Sequence, residues 1–187
     1  DDEHFASVSV DDVAGGRIAV QHLAAIGRTH IAFVGGPFGI RQVADRHAGA
    51  LAAAQAAGIR LEALPTTSLS VLEGRRIGEA IQARPAAERP DAVFAANDLL
   101  AVGLEQAFIM RGTIAVPEQI AIVGYDDIAF AESAVVPLTS VRQPAQDLGR
   151  RAIELLTKQV EQGQDIDLEH VEFTPELVVR QSSVADA

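Results

Sequence analysis

A chain of 187 residues with 48% apolar content can bury one sizeable core or two small lobes. Its net charge of −11, from 26 acidic residues against 15 scattered basic ones, repels phosphate backbones, and 4% aromatics with no Trp argue against base stacking on single strands. Zero cysteines exclude disulfides and thiolate chemistry, as suits a reducing cytoplasm, and no run of about eighteen apolar residues offers a membrane span.

Val8-Ser9-Val10 reads as a strand end, and Asp11 or Asp12 can cap a helix from about Val13 to Ile26 that Gly27 stops. Ile31 to Gly35 is a buried strand running into Gly35-Gly36-Pro37. Arg41 to Ala57 is a second helix, closed by Gly58. Ser70-Val71-Leu72-Glu73 is a capping box opening a third helix that ends before Pro85. After a polar, Pro-bounded loop over 84–90 comes a strand, Ala92 to Ala96. Asn97 or Asp98 then caps a fourth helix with Leu100, Gly103, Leu104 and Ala107 on one face and Gly112 at its end.

Pro117 bars a helix from continuing, and the four apolar residues Ile120 to Val123 form a strand buried on both faces. The pair Asp126-Asp127 emerges at its carboxyl end, where open α/β sheets bind ligands. Pro144 opens a last helix with a stripe of Leu148, Ala152, Leu155, Leu156 and Val160, which Gly163 ends. Beyond Asp165-Ile166-Asp167, His170 to Thr174 and Leu177 to Arg180 read as extended chain returning to a sheet. Strands alternating with helices through four units predict an α/β fold with a doubly wound parallel sheet.

Seven stretches in fixed order carry a resemblance to a known family. They are Ser9-Val10-Asp11-Asp12, His22-Leu23 with Gly27-Arg28-Thr29-His30-Ile31, Gly35-Gly36-Pro37, Arg46 to Gly49, Ala95 to Asp98, Val116 to Asp127 and Pro137 to Pro144. Together the chain resembles the effector-binding core of the lactose-repressor/galactose-repressor (LacI/GalR) transcriptional regulators. The resemblance implies a periplasmic-binding-protein-like fold of two lobes closing over a small ligand, with three chain crossings between them. Residues 11–142 would form the C-terminal lobe, 1–10 a remnant of the N-terminal lobe, 143–163 a helix of that lobe, and 164–187 the return. A start on Asp1, with most of one lobe and the helix-turn-helix headpiece unaccounted for, leads us to expect a fragment.

The same resemblance places Arg46, Asn97 and Asp126 in the effector pocket. Each has a plainer reading: Arg46 as a surface helical arginine, Asn97 as a helix cap, Asp126 as a turn residue. The functional reading uses the planar guanidinium to bind ligand hydroxyls or a carboxylate, and the amide and the carboxylate to bind ligand hydroxyls. Gln143 lies at a crossover and is a further candidate, whereas Asp127 reads as structural. Leu69 stands where many relatives place an aromatic, which weakens ring stacking from this lobe. Ile40 replaces a polar contact of purine-binding members, which disfavours a purine. The implied effector is a sugar or polyol.

No catalytic, metal or cofactor site is expected. The five histidines, His4, His22, His30, His47 and His170, lack metal-ligand spacing and read as surface or capping side chains. Gly35-Gly36-Pro37 lacks the Gly-Lys-Ser/Thr ending of a phosphate loop. The pairs Asp11-Asp12 and Asp126-Asp127 supply too few oxygens for calcium. The resemblance implies a cytoplasmic homodimer that meets operator DNA only through the absent headpiece and meets no membrane. A periplasmic sugar-binding protein of a transporter shares the fold and stays open, with an export signal upstream as its mark. A flavodoxin-like enzyme or response regulator would need a lysine near the acidic pocket, and the single lysine, Lys158, lies in the wrong element.

Overall fold

A computed structural model describes residues 6–110, 114–162 and 169–184. In chain order these form β1 (Ser7–Val10), α1 (Asp12–Ala25), β2 (His30–Gly35), α2 (Arg41–Ala57), β3 (Arg60–Pro65), α3 (Val71–Gln82), β4 (Ala92–Ala95), α4 (Asp98–Met110), β5 (Ala121–Asp126), α5 (Ala129–Glu132), β6 (Thr139–Arg142), α6 (Ala145–Gln162), β7 (His170–Phe173) and β8 (Glu176–Val178). The helix starts follow from the caps. Asp11 accepts the Ala14 N–H at 2.8 Å, Ser70 accepts that of Glu73, and Asn97, rather than Asp98, accepts that of Leu100 at 3.0 Å. The Ser70 box is only half closed, because Glu73 reaches back to the Thr67 N–H. Gly58 closes α2 at φ 66, a left-handed turn that glycine adopts without strain.

Six strands make one sheet in the order β3-β2-β4-β5-β6-β8, parallel throughout except for β8, which runs antiparallel to β6 at the edge. The connections leave β2 toward β3 and later pass to β4 on the other side. Right-handed crossovers therefore put α2, with α1 packed on it, on one face and α3 with α4 on the other. Covered on both faces, β2, β4 and β5 bury Ile31, Phe33, Phe94, Ile122 and Tyr125 completely.

Two strands lie outside the sequence expectations. β3 carries Arg60 and Glu62 and is half exposed at the sheet edge, so it has neither a continuous apolar run nor a clean alternation. β6 buries Thr139 and Ser140, polar residues that break the apolar pattern of a buried strand. Thr139 tolerates burial because the carboxyl-terminal segment serves it, and Ser140 because its hydroxyl donates to Asp98 and accepts the Asp127 N–H. The Ser182 hydroxyl accepts the Thr139 N–H at 2.8 Å, and Thr139 Oγ1 lies 2.7 Å from Ser183 Oγ. Pro117 lies in the turns before β5, and α4 is described as far as Met110. Gly112, Gly163 and the Asp165 to Asp167 stretch lie outside the described residues.

β1 and β7 stand apart as a two-stranded parallel sheet with α6 packed against β1. Three short links join this small body to the large sheet, at Asp11, at Gln143-Pro144 and at Thr174-Pro175. Of the α6 stripe, Leu155 is buried, while Leu156 and Val160 are exposed together with Ile153.

The histidine reading needs correction. His22 bonds Ser183 Oγ at 2.8 Å, His30 lies 3.3 Å from Glu62, and His47 packs against the Phe33 ring with 5.0 Å between ring centres. Burial lowers the pKa of both His22 and His47. They are packing residues, His170 remains exposed, and His4 lies outside the described residues.

Candidate functional site

The carboxyl ends of β2, β4 and β5 point the same way, and the chain leaves β2 and β4 in opposite directions. That divergence opens a crevice above the sheet. Arg46 reaches it from the second turn of α2 and is 5% exposed, not a surface arginine. Its Nε donates to Asp12 Oδ1 at 2.7 Å and its Nη1 to the Ala96 carbonyl at 2.7 Å, with Asp126 Oδ1 at 3.7 Å. The guanidinium also lies over the Tyr125 ring, 3.6 Å from its centre, a cation–π contact that fixes its plane.

Glycines bring these groups together. A Cβ on Gly16 would come within 1.9 Å of the Arg46 carbonyl oxygen, and one on Gly49 within 1.9 Å of that of Val13. α1 and α2 thus cross at backbone contact, which is what lets Asp12 on one reach Arg46 on the other. Gly15 similarly makes room for the Tyr125 hydroxyl, which its Cβ would meet at 2.3 Å. Burial first, and the Asp12 charge beside it, push the Tyr125 pKa up, so the phenol stays protonated.

Asp126 ends β5 at φ 102 and stays partly open, its side chain 31% exposed. Burial raises its pKa and Arg46 opposes the rise. The Gln143 amide donates to Asp126 Oδ1 at 2.6 Å, so a residue of the linker between the two bodies is tied to the floor of the crevice. Asn97 sits beside Ala96 with its Nδ2 3.3 Å from the Leu69 carbonyl. Arg46, Asp126, Gln143, Asn97 and Leu69 are therefore neighbours, although the Leu69 side chain packs partly into the core. Ile40 contributes differently: it precedes α2 and its carbonyl accepts the Ala44 N–H at 3.1 Å, with the side chain exposed.

Asp127, at φ 49, is held by Arg142 at 2.6 Å and Arg180 at 2.7 Å. Burial would raise its pKa, but bonds from Arg180 and Arg142 outweigh that and hold it below the ordinary carboxylate range. Beneath it Asp98 is fully buried, accepting from Ser140 Oγ at 2.6 Å and from the Ile128 N–H at 2.9 Å. Burial, with the Asp126 and Asp127 charges adding, pushes Asp98 up to about 7.

A cleft of about 420 Å³ continues from this floor toward the small body, lined by Asp11, Asp12, Arg41, Gln42, Asp45, Gln143 and Glu172 among others. Sequence reasoning missed Asp12 as the partner of Arg46, and Tyr125 as its platform. The pair Gly15-Gly16 in mid-helix was the available signal, since only a close approach explains two glycines there. Among the described residues no three His, Cys, Asp or Glu side chains converge as a metal site, and no helix is long and apolar enough to cross a membrane.

Known proteins share this architecture. A family model described as a periplasmic binding protein-like domain matches residues 20–183. The HTH-type transcriptional regulator DegA of Bacillus subtilis is 34% identical over 178 residues, which cover 94% of this chain and 51% of DegA. The transcriptional regulator CelR, solved as a complex with cellobiose, superposes with a TM-score of 0.88 at 32% identity over 98% of this chain and 55% of CelR. A LacI family transcriptional regulator from Enterococcus faecium with bound ribose superposes at 0.87 and 29% identity, over 97% of this chain and 66% of that one. The chain spans about half the length of the curated relatives it matches.

Proposed function

Because the chain belongs to the periplasmic binding protein-like family, among its LacI/GalR-type regulators, we propose that it is the ligand-sensing half of a bacterial repressor that takes a small sugar or polyol as effector. The observation that carries this reading is the linked set Arg46, Asp126 and Gln143 at the carboxyl end of the sheet. A rigid guanidinium, a half-open carboxylate and an amide together offer donors and acceptors in the pattern that vicinal hydroxyls require. Asn97 adds a second amide, while Leu69 and Ile40 supply apolar edges and no aromatic platform.

In this reading residues 11–142 form the C-terminal lobe, 1–10, 143–163 and β7 belong to the N-terminal lobe, and the chain returns to the C-terminal lobe at Thr174-Pro175, not at 164 as the sequence suggested. The pairing of β1 with β7 away from the main sheet, and of β8 within it, supports that division. An effector whose hydroxyls compete for the Gln143–Asp126 bond would change the angle between lobes and so the spacing of headpieces on operator DNA, a coupling between separate sites. A second copy of the chain is supported by the apolar face where Met110 of α4 and Phe130 of α5 are exposed. The regulator would work in the cytoplasm and perform no catalysis.

Sequencing the parent reading frame upstream of Asp1 tests the class of function. A helix-turn-helix followed by a hinge and the rest of an α/β lobe is the expected result. An export signal would overturn it in favour of a periplasmic binding protein.

A further inference from the structure

We propose that the end of β6 is a proton-linked latch on the turn between β5 and α5, shut while the buried Asp98 keeps its proton and loosened when Asp98 gives the proton up. Three carboxylates each take one bond from this strand end. Ser140 Oγ donates to Asp98 Oδ1 at 2.6 Å, Arg142 Nε to Asp127 Oδ2 at 2.6 Å, and the Gln143 amide to Asp126 Oδ1 at 2.6 Å. The turn they hold is strained, since Asp126 at φ 102 and Asp127 at φ 49 are consecutive non-glycine residues at positive φ, which persist only where their surroundings impose them. Asp98 imposes them on the backbone. Its Oδ2 accepts the Ile128 N–H at 2.9 Å, and Ser140 Oγ, itself bonded to Asp98, accepts the Asp127 N–H at 3.0 Å. Gly124, opposite Ser140 in the β5–β6 register, leaves the space, because a Cβ there would come within 2.2 Å of Asp98 Oδ1.

Asp98 is the carboxyl that the arginines pass over. Arg46 serves Asp12 and Asp126, while Arg142 and Arg180 both serve Asp127, and none of the three pairs with Asp98. The charged groups facing it from β5 and the turn are Asp126 and Asp127, both of its own sign, and β6 offers it only the Ser140 hydroxyl. On α3, packed along α4, Glu73 turns to Thr67 and Arg76, and Arg75 to Gln106. Asp98 has no exposed surface, so no segment beyond this chain can touch it. Burial first, and then the two like charges, lift its pKa to about 7, whereas an open turn gives the carboxyl water and an ordinary value near about 4. Opening therefore releases a proton. It grows easier as pH rises from about 4 to about 7 and levels off above that. Gln143 is bonded to the same turn and begins the linker to the small body, so the linker slackens with it.

The test is hydrogen exchange of the intact regulator between pH 5.5 and pH 8.5, read at single amides by mass spectrometry and corrected for the intrinsic rate. Protection of the Asp127 and Ile128 amides should fall by about thirtyfold across that range, most of it below pH 7.5, and should stay level in Asp98→Asn. Ser140→Ala keeps the carboxyl but removes a bond that favours its ionised form, so its Ile128 protection should go on falling to higher pH than in wild type. Wild-type protection that is constant with pH overturns the latch. A fall that persists in Asp98→Asn overturns it too, assigning the proton to another group such as Asp126. Equal protection at Ile128 and at Phe94 of β4 at every pH does the same, because release would then be unfolding of the whole lobe. Where Asp98→Asn does not fold, the Ser140→Ala profile decides, and one that levels off together with wild type overturns the proposal.

Discussion

Replacing Asp98 with Asn should make the protein more stable at alkaline pH than at acid pH relative to wild type. Asp98 is fully buried, and burial lifts its pKa from 3.8 to about 7. A carboxyl with a raised folded-state pKa contributes its full stability while protonated in both states, and that stability is lost as pH rises from about 4 to about 7. At about 1.4 kcal/mol for each pH unit between those two values, the ionised side chain costs at most about 4 kcal/mol above pH 7. Asn keeps an oxygen for the Ile128 N–H and turns its NH2 toward Ser140, whose hydroxyl must reorient. That rearrangement sets a fixed cost of about 1 kcal/mol at every pH. The pH-dependent part is therefore separable. Urea unfolding followed by circular dichroism should show the variant gaining about 2–3 kcal/mol on wild type between pH 5 and pH 8. An equal difference at both pH values would refute the argument that Asp98 is ionised against its burial.

Other perturbations read other parts of the account. Asp127→Asn leaves Arg180 and Arg142 without their shared carboxylate, and should cost about 2–4 kcal/mol at pH 7 by urea unfolding. Because the Asp127 pKa is depressed, that cost should fade as pH drops below about 4, and a cost constant with pH would contradict it. Gly49→Ala pushes a Cβ into the Val13 carbonyl and should cost about 1–3 kcal/mol, whereas Gly39→Ala, with no atom within 4 Å, should stay within about 0.5 kcal/mol. Thermal melts of the two variants that coincide would show that α1 and α2 do not depend on backbone contact. Arg46→Lys keeps the charge but loses the fork that joins Asp12 to the Ala96 carbonyl, so titration should show effector affinity falling about tenfold or more.

Helix starts and the buried centre of the sheet were legible because each rests on local chemistry. Asp11, Ser70 and Asn97 cap the helices they precede, and the uninterrupted apolar run marks the start of β5, which begins at Ala121 and continues past Val123 to Asp126. β6 was hidden because the reason Thr139 and Ser140 can be buried lies more than forty residues away, at Ser182 and Ser183, and across the sheet at Asp98. β3 was hidden because an edge strand faces water and its pattern is weak. Of the site, Arg46, Asn97 and Asp126 could be picked out through family resemblance. Their electrostatics could not, since Asp12 and Tyr125 meet the guanidinium only after two helices cross at Gly16 and Gly49.

The most direct test of the central claim is isothermal titration of ribose and cellobiose into the intact regulator and its Asp126→Asn variant. The carboxylate accepts from Gln143 and neighbours Arg46, so it is the group through which the proposed hydroxyl binding would be joined to the arginine and to the linker toward the small body. The expected result is a sugar that binds the wild type and loses about tenfold or more in affinity for the variant. A sugar that binds both proteins with the same affinity would contradict the account and put the effector elsewhere.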